Sequence, residues 1–218
     1  MLLRGPAGVP PAAADASGPV KVPVEHAADG VSASGEARAW WPPARVRPSP
    51  NRDPRPAGME PELIVIHSIS LPPCEFGGPY IGQLFTNTLE PRAHPYFAVI
   101  ADLRVSAHVV IGRDGEATQY VPFTERAWHA GVSSWRGRER CNDFSIGIEL
   151  EGCDERPFTP SQYRQLASLI AWLRQRFPAL AGDALAGHAD IAPGRKTDPG
   201  PYFDWQHLAA RLEGEADA

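Results

Sequence analysis

Seven histidines punctuate the 218-residue chain: His26, His67, His94, His108, His129, His188 and His207. Two of them have placements suited to chemistry. His67 ends the apolar, β-branched run Leu63-Ile64-Val65-Ile66, at the kind of strand end where α/β proteins place ligands. His188 stands in Gly187-His188-Ala189-Asp190, read as a loop after a helix, ten residues before Asp198. Two imidazoles and one carboxylate make a three-ligand set of the kind catalytic zinc uses, with a fourth position left for water. Zn²⁺ with one aspartate keeps a net positive charge, enough to acidify water toward neutral pH. Spacing alone does not select the set. No H-x-x-x-H pair puts two ligands on one helical face, and His108, His129 and Asp190 stay open as alternatives.

Glu149 is the candidate acid–base group. In Phe144–Leu150 (FSIGIEL), Phe144, Ile146, Ile148 and Leu150 share one strand face, while Ser145, Gly147 and Glu149 share the other. A carboxylate there, beside a metal, would take a proton from water and deliver it to a leaving nitrogen. The competing reading is a solvent-facing glutamate on a one-sided sheet, as Glu151 of the same parity suggests. Of 21 basic residues only Lys21 and Lys196 are lysines. Lys196, two residues from Asp198, offers a compact movable ammonium for an oxyanion, with a solvated loop lysine as the alternative. Arg104 and Arg140 are candidates for gripping substrate carboxylates, although surface ion pairs are the commoner fate of such arginines. Trp128 and His129 are candidates for a stacking or polar wall, with core packing as the rival. Cys153 has no base beside it, which argues against a cysteine nucleophile.

The elements that must position these residues follow from local pattern. Leu63–Ile66 is apolar on both faces and reads as a central strand of a covered sheet. The loop LPPCEFGGP leads to Pro79 as the first residue of a short helix through about Phe85. Residues 105–121 read as a hairpin around Arg113-Asp114-Gly115-Glu116. The clearest helix runs from Pro160 to Phe177. Thr159 is its N-cap, Gln162 completes a capping box, and Pro178 stops it. Tyr163, Leu166, Ala167, Ile170, Leu173 and Phe177 form its apolar stripe. A last helix follows Asp204, over Trp205–Leu212. Strands interleaved with helices predict a single α/β domain, a central mixed β-sheet flanked by helices.

Composition sets the outer bounds. Residues 1–39 contain ten Ala, five Gly and five Pro, and read as an unfolded tail. The domain is expected over residues 40–213, with 214–218 as a short C-terminal tail. Residues 40–58 hold six of the 24 prolines and are expected to wrap the surface in extended form. Residues 59–218 carry fourteen basic and twenty-one acidic groups, a net −7, which argues against nucleic acid as partner. No apolar run approaches the length of a membrane span, and no secretory signal is evident. Cys74, Cys141 and Cys153 are odd in number and lack C-x-x-C spacing, so free thiols in a reducing compartment are expected. The expectation is a cytoplasmic monomer.

Four longer stretches then carry a resemblance: SLPPCEFGGP (70–79), RVSAHVVIGRDGEATQYVPF (104–123), RAWHAGVSSWRGRERCNDFSIGIELEG (126–152) and GHADIAPGRKTDPGPYFDW (187–205). Together, over residues 40–212, they closely resemble the zinc-dependent N-acetylmuramoyl-L-alanine amidases, in particular the anhydro-muramyl-L-alanine amidases of bacterial cell-wall recycling. The resemblance implies one catalytic zinc at His67, His188 and Asp198. It implies catalytic roles for Glu149 and Lys196, and substrate contacts for Arg104 and Arg140. The implied substrate is an anhydro-muropeptide, cut at the amide between the lactyl group and L-alanine. Ser68 departs from the pattern, standing where the family usually has Asn, so a substrate hydrogen bond would be shortened or lost there. Two rivals remain at this level: a non-catalytic muropeptide-binding protein on the same fold, and an envelope amidase acting on intact peptidoglycan.

Overall fold

The computed structural model describes residues 38–216. The tail expected over residues 1–39 lies outside them, except for Arg38 and Ala39. Chain order is β1 (Arg45–Val46), β2 (Arg52–Pro54), β3 (Leu63–Ile69), α1 (Tyr80–Phe85), α2 (Phe97–Ile100), β4 (Val109–Ile111), β5 (Ala117–Gln119), β6 (Glu125–Ala127), β7 (Ser134–Trp135), β8 (Arg138–Glu139), β9 (Ser145–Glu151), α3 (Pro160–Arg176), β10 (Leu185–Gly187), α4 (His188–Ile191) and α5 (Trp205–Ala216).

Six strands make the main sheet in the order β1-β5-β4-β9-β3-β10. It is mixed: β4, β9, β3 and β10 run parallel, β5 turns back antiparallel to β4, and β1 lies parallel to β5. The β-branched runs of β3 and β9 fill its centre because both faces there are covered. Ile64, Ile66, Val109, Ile111, Ile146, Ile148 and Leu150 form one face, packed under Leu166, Ile170 and Leu173 of α3 and Leu208 of α5. Each such side chain removed from water contributes on the order of 1.5–3 kcal/mol. The apolar stripe of α3 faces this core, and its capping box is present: Gln162 N–H donates to Thr159 Oγ1 (3.1 Å) and Thr159 N–H to Gln162 Oε1 (3.0 Å). On the opposite face, Ile81, Leu84 and Phe85 of α1 and Phe97 and Ile100 of α2 pack with Val110 and Tyr120.

The hairpin forms as expected, with β4 and β5 joined through a turn in which Gly115 takes φ +91°. Several expectations change. Residues 40–58 do not only wrap the surface: Trp41 is core, β1 adds an edge strand, β2 pairs with β6, and Ser49 and Asn51 are buried. Trp41 supplies the apolar area that a proline-rich strap otherwise lacks, which draws the strap in. His188 opens a helical turn directly after β10 rather than lying in a loop after a helix. The last helix continues to Ala216, past residue 213.

The cysteine reading is corrected. Cys74 and Cys153 form a disulfide, with Cα atoms 5.5 Å apart, and Cys141 is free and buried. Because β3 and β9 are neighbours, the segments leaving their C-terminal ends run side by side, although 79 residues separate the two cysteines in sequence. Glu151 is likewise not solvent-facing. It is buried and accepts from Gly77 N–H (2.6 Å) and Arg113 N–H (3.3 Å), fastening the same loop to the strand end.

Candidate active site

The register of the parallel strands assembles the site. His67 on β3 lies directly opposite Glu149 on β9, both on the face away from α3. Gly187, the last residue of β10, pairs with Ile66, so His188 emerges beside His67. The segment after α4 folds back, Ala189 N–H donating to the Asp198 carbonyl (2.8 Å), which sets Asp198 over the two imidazoles. Three elements distant in sequence thus meet at the carboxyl ends of parallel strands, where α/β sheets commonly hold ligands.

Their facing atoms converge. His67 Nδ1 is 2.9 Å from His188 Nδ1, and the two nitrogens lie 3.1 and 3.0 Å from Asp198 Oδ2. His67 and His188 are 1% and 3% exposed. Bonds of about 2.0–2.1 Å at tetrahedral angles place ligand atoms roughly 3.3 Å apart. The triad is close to that spacing, and its chemistry, two imidazole nitrogens and one carboxylate oxygen, suits a zinc-like cation. Burial, then the charge of His188, push His67 down to about 4, so it is neutral and ligand-competent at neutral pH. Burial works against the charge on Asp198, but the two imidazoles facing its carboxyl outweigh it and hold the carboxyl below its usual range. Among the described residues, these three are the His/Cys/Asp/Glu group arranged to hold a metal ion.

Glu149 is 9% exposed, and its Oε2 has no hydrogen-bond partner. Burial, then the nearby Asp198 charge, raise its pKa well above the ordinary carboxylate value, while Lys196 pulls the other way. The solvent-facing alternative for Glu149 is therefore gone. Lys196 sits at half-buried depth on the turn after α4, its backbone N–H bonded to Ala192 O (3.1 Å), near enough for its charge to act on both Glu149 and His67.

The alternative ligands have other partners. His108 takes a hydrogen bond from Gly147 N–H on Nδ1 (3.0 Å), and its Nε2 faces Glu125 O (3.1 Å). Asp190 accepts from Gly187 N–H (2.7 Å), capping the turn that carries His188. His129 is near the triad but behind it: its Nδ1 faces Nε2 of His67, the nitrogen turned away from Asp198, at 2.9 Å. Its ring packs edge-on against that of His67.

The other candidate substrate contacts have partners of their own or lie on other faces. Trp128 Nε1–H donates to Asp53 Oδ1 (3.1 Å), and Arg140 Nε–H to Asp143 Oδ2 (3.0 Å). Arg104 is exposed, with long bonds to the Ala101 and Leu103 carbonyls (3.3 and 3.4 Å). Ser68, one residue past His67, has the strand parity of the α3 side at the half-buried end of β3.

Three supporting residues escaped the sequence reading. The Arg55 guanidinium, pushed down to about 10 by burial, donates to the carbonyls of Phe123, Asn142, Asp143 and Ser145. Asn142 Oδ1 accepts from both His129 and Ala130 N–H (3.1 and 2.8 Å). Gly147, inside a strand, had a signal: glycine there often marks close approach of another group. A Cβ at Gly147 would overlap the His129 ring. A groove of about 490 Å³ runs over the same sheet, with Val110 and Glu151, neighbours of Glu149, among its lining and Arg45, Arg47 and Arg113 at its sides.

A mixed-sheet α/β domain with a cation-ready triad beside a buried carboxylate whose Oε2 has no partner is the arrangement a metal-dependent hydrolase requires. The chain belongs to the N-acetylmuramoyl-L-alanine amidase family, whose model matches residues 57–201. It is 61% identical over 178 residues to the 1,6-anhydro-N-acetylmuramyl-L-alanine amidase AmpD of Escherichia coli, covering 82% of this chain and 97% of that protein. It is 62% identical over 171 residues to AmpD of Citrobacter freundii, covering 78% and 91%. A crystal structure of a selenomethionine AmpD derivative superposes with a TM-score of 0.79 at 60% identity, over 80% of this chain and 97% of that one. The E. coli amidase AmiD, solved with anhydro-N-acetylmuramic acid-L-Ala-D-γ-Glu-L-Lys, superposes with a TM-score of 0.51 at 32% identity, over 72% and 60%.

Proposed function

We propose that this amidase hydrolyses the amide between the lactyl group of 1,6-anhydro-N-acetylmuramic acid and the L-alanine of the stem peptide, using one zinc ion held by His67, His188 and Asp198. The observation that carries the reading is the convergence of two Nδ1 atoms and one carboxylate oxygen within 3.1 Å of one another, beside the unpartnered Oε2 of Glu149. Zinc in that set would supply Lewis acidity, withdrawing electrons from water and from the scissile carbonyl alike.

The chain's own groups supply the proton transfers. Glu149 takes a proton from the attacking water and gives it to the alanine nitrogen as the C–N bond breaks. Burial and the nearby Asp198 charge raise its pKa above the ordinary carboxylate value, which makes it a stronger base toward the water than an exposed glutamate. Lys196, within electrostatic reach, counters the negative charge that develops on the carbonyl oxygen. The arginines beside the groove, together with Arg104 and Arg140, offer cations for the carboxylates of a muropeptide in an otherwise acidic domain. A cytoplasmic monomer acting in cell-wall recycling fits this soluble substrate. Among the described residues, no helix is long and apolar enough to cross a membrane.

The test offers purified protein anhydro-muropeptide and intact sacculi side by side, with and without chelator. Release of stem peptide from the soluble fragment only, lost on chelation and restored by zinc, is the expected result. Cleavage of sacculi at comparable rates would assign an envelope substrate instead, and binding without cleavage would assign a recognition protein.

A further inference from the structure

His188 and His67 both turn Nδ1 toward Asp198, but their other nitrogens are held differently. His188 Nε2 faces a backbone carbonyl, that of Ala130, at 3.2 Å. A carbonyl only accepts, so the proton must sit on Nε2, leaving Nδ1 a bare lone pair. His67 has no carbonyl behind it. Its Nε2 meets a second imidazole, Nδ1 of His129 at 2.9 Å, and nothing in that contact alone says which nitrogen carries the proton.

The next links decide it. His129 Nε2 lies 3.2 Å from Ser145 Oγ, and Ser145 Oγ lies 2.5 Å from the Cys141 carbonyl. That carbonyl can only accept, so the single hydroxyl proton of Ser145 points at it. Ser145 Oγ is then an acceptor toward His129, which places the His129 proton on Nε2 and leaves Nδ1 a lone pair. His67 must therefore donate from Nε2, and its own Nδ1 faces Asp198 unprotonated. The tautomer of His67 is dictated from a backbone carbonyl three hydrogen bonds away. We propose that His129 and Ser145 are positioning residues that set the tautomer and ring orientation of His67, and thereby its affinity for the metal. The proposal rests on the metal assignment above.

The surroundings hold the relay in place. The glycine at 147 leaves the space the His129 ring occupies, and Asn142 fixes the backbone on either side of the ring. A doubly protonated His129 would present a second donor to His67 and break the chain. Partners of this kind, behind a ligating histidine, typically change metal affinity 10–100-fold when removed.

The test reads the imidazoles of the metal-free protein by ¹⁵N NMR, and zinc affinity by competition with a chelator. In the unmodified protein His67 and His129 should each be single Nε2–H tautomers. His129→Leu, which has no acceptor, should lose the fixed His67 tautomer and weaken zinc binding roughly 10–100-fold. His129→Asn, which returns an acceptor near the position of Nδ1, should recover most of that loss. Ser145→Ala, a smaller change, should leave His129 a mixture of tautomers, and a single Nε2–H tautomer of His129 in a folded Ser145→Ala would overturn the serine's part in the relay. A proton on Nδ1 of His67 in the unmodified protein overturns the proposal, whatever the variants do. So does a folded His129→Leu with unchanged zinc affinity, or a His129→Asn no better than His129→Leu. Failure of the unmodified protein to take up zinc would strike the metal assignment, while the metal-free spectrum reads the relay separately.

Discussion

Strand β9 is buried on both faces along its whole length, yet the two faces follow opposite rules. Ile146, Ile148 and Leu150 meet the apolar residues of α3, and each is there because removing hydrocarbon from water is favourable. The other face reads Ser145, Gly147, Glu149 and Glu151. Burying these residues gains little hydrophobic energy, and each one is accounted for by a specific contact or by chemistry. Ser145 ends the relay behind His67, Gly147 makes room for the His129 ring, and Glu151 fastens the loop after β3. Glu149 alone has an oxygen without a partner. A buried polar group left unpaired costs stability and is found where function requires it. One strand thus carries apolar packing on one face and the proposed acid–base carboxylate on the other.

Substitutions that separate the two faces test this division. Glu149→Ala should give the largest effect, a fall in kcat of about 10²–10⁴-fold, with zinc retained and Tm not lowered, because a costly buried carboxyl is removed. Near-normal kcat would remove the proton-transfer role. Ile148→Ala, its neighbour on the opposite face, should do the reverse: about 2–5 kcal/mol lost in chemical denaturation, with kcat per folded molecule preserved. Loss of kcat at full folding would show that the faces are not independent.

Acid should divide them as well. His67 titrates near about 4 when folded, below its ordinary value, so the unfolded chain takes up a proton that the folded chain refuses. The stability this represents is complete above about pH 6.5 and is lost as pH falls from there toward about 4, at roughly 1.4 kcal/mol per unit. In a metal-free Glu149→Gln variant, which removes the opposing proton uptake of the raised Glu149 carboxyl, Tm should therefore drop across that window, whereas the penalty of Ile148→Ala should stay constant through it. A flat Tm would mean that His67 is not held neutral by burial. The smallest effect is expected from Glu151→Gln, which weakens charge-assisted bonds to the loop by about 1–2 kcal/mol and should loosen amide-exchange protection around Gly77 before it touches global Tm. Unchanged protection there would move the anchoring of the loop to the Cys74–Cys153 bond alone.

How far each feature could be read in advance depended on the range of the interaction behind it. The alternation in β9, the capping box of α3 and the Asp-Gly turn between β4 and β5 were legible, because each rests on contacts within a few residues. The proline-rich strap misled: its composition argued for a surface path, and the burial of Trp41 reversed it. The cysteines misled for a related reason, since spacing along the chain says nothing about two loops that leave adjacent strands. Arg55 and Asn142 left no local trace, because their partners are backbone carbonyls and amides brought near only by folding.

By itself, the sequence determined the periods of its strands and helices, a candidate acid–base carboxylate on the polar face of β9, and a pool of histidines and aspartates able to hold a metal. Long, family-specific motifs narrowed that pool to His67, His188 and Asp198, which spacing alone left open. Only the tertiary structure decided that these three converge, across 121 and 131 residues of chain, and that His129 stands behind His67. The physical reason is parallel strand pairing. It places residues in register across long connections, and hydrogen bonding along the chain does not encode which strands become neighbours.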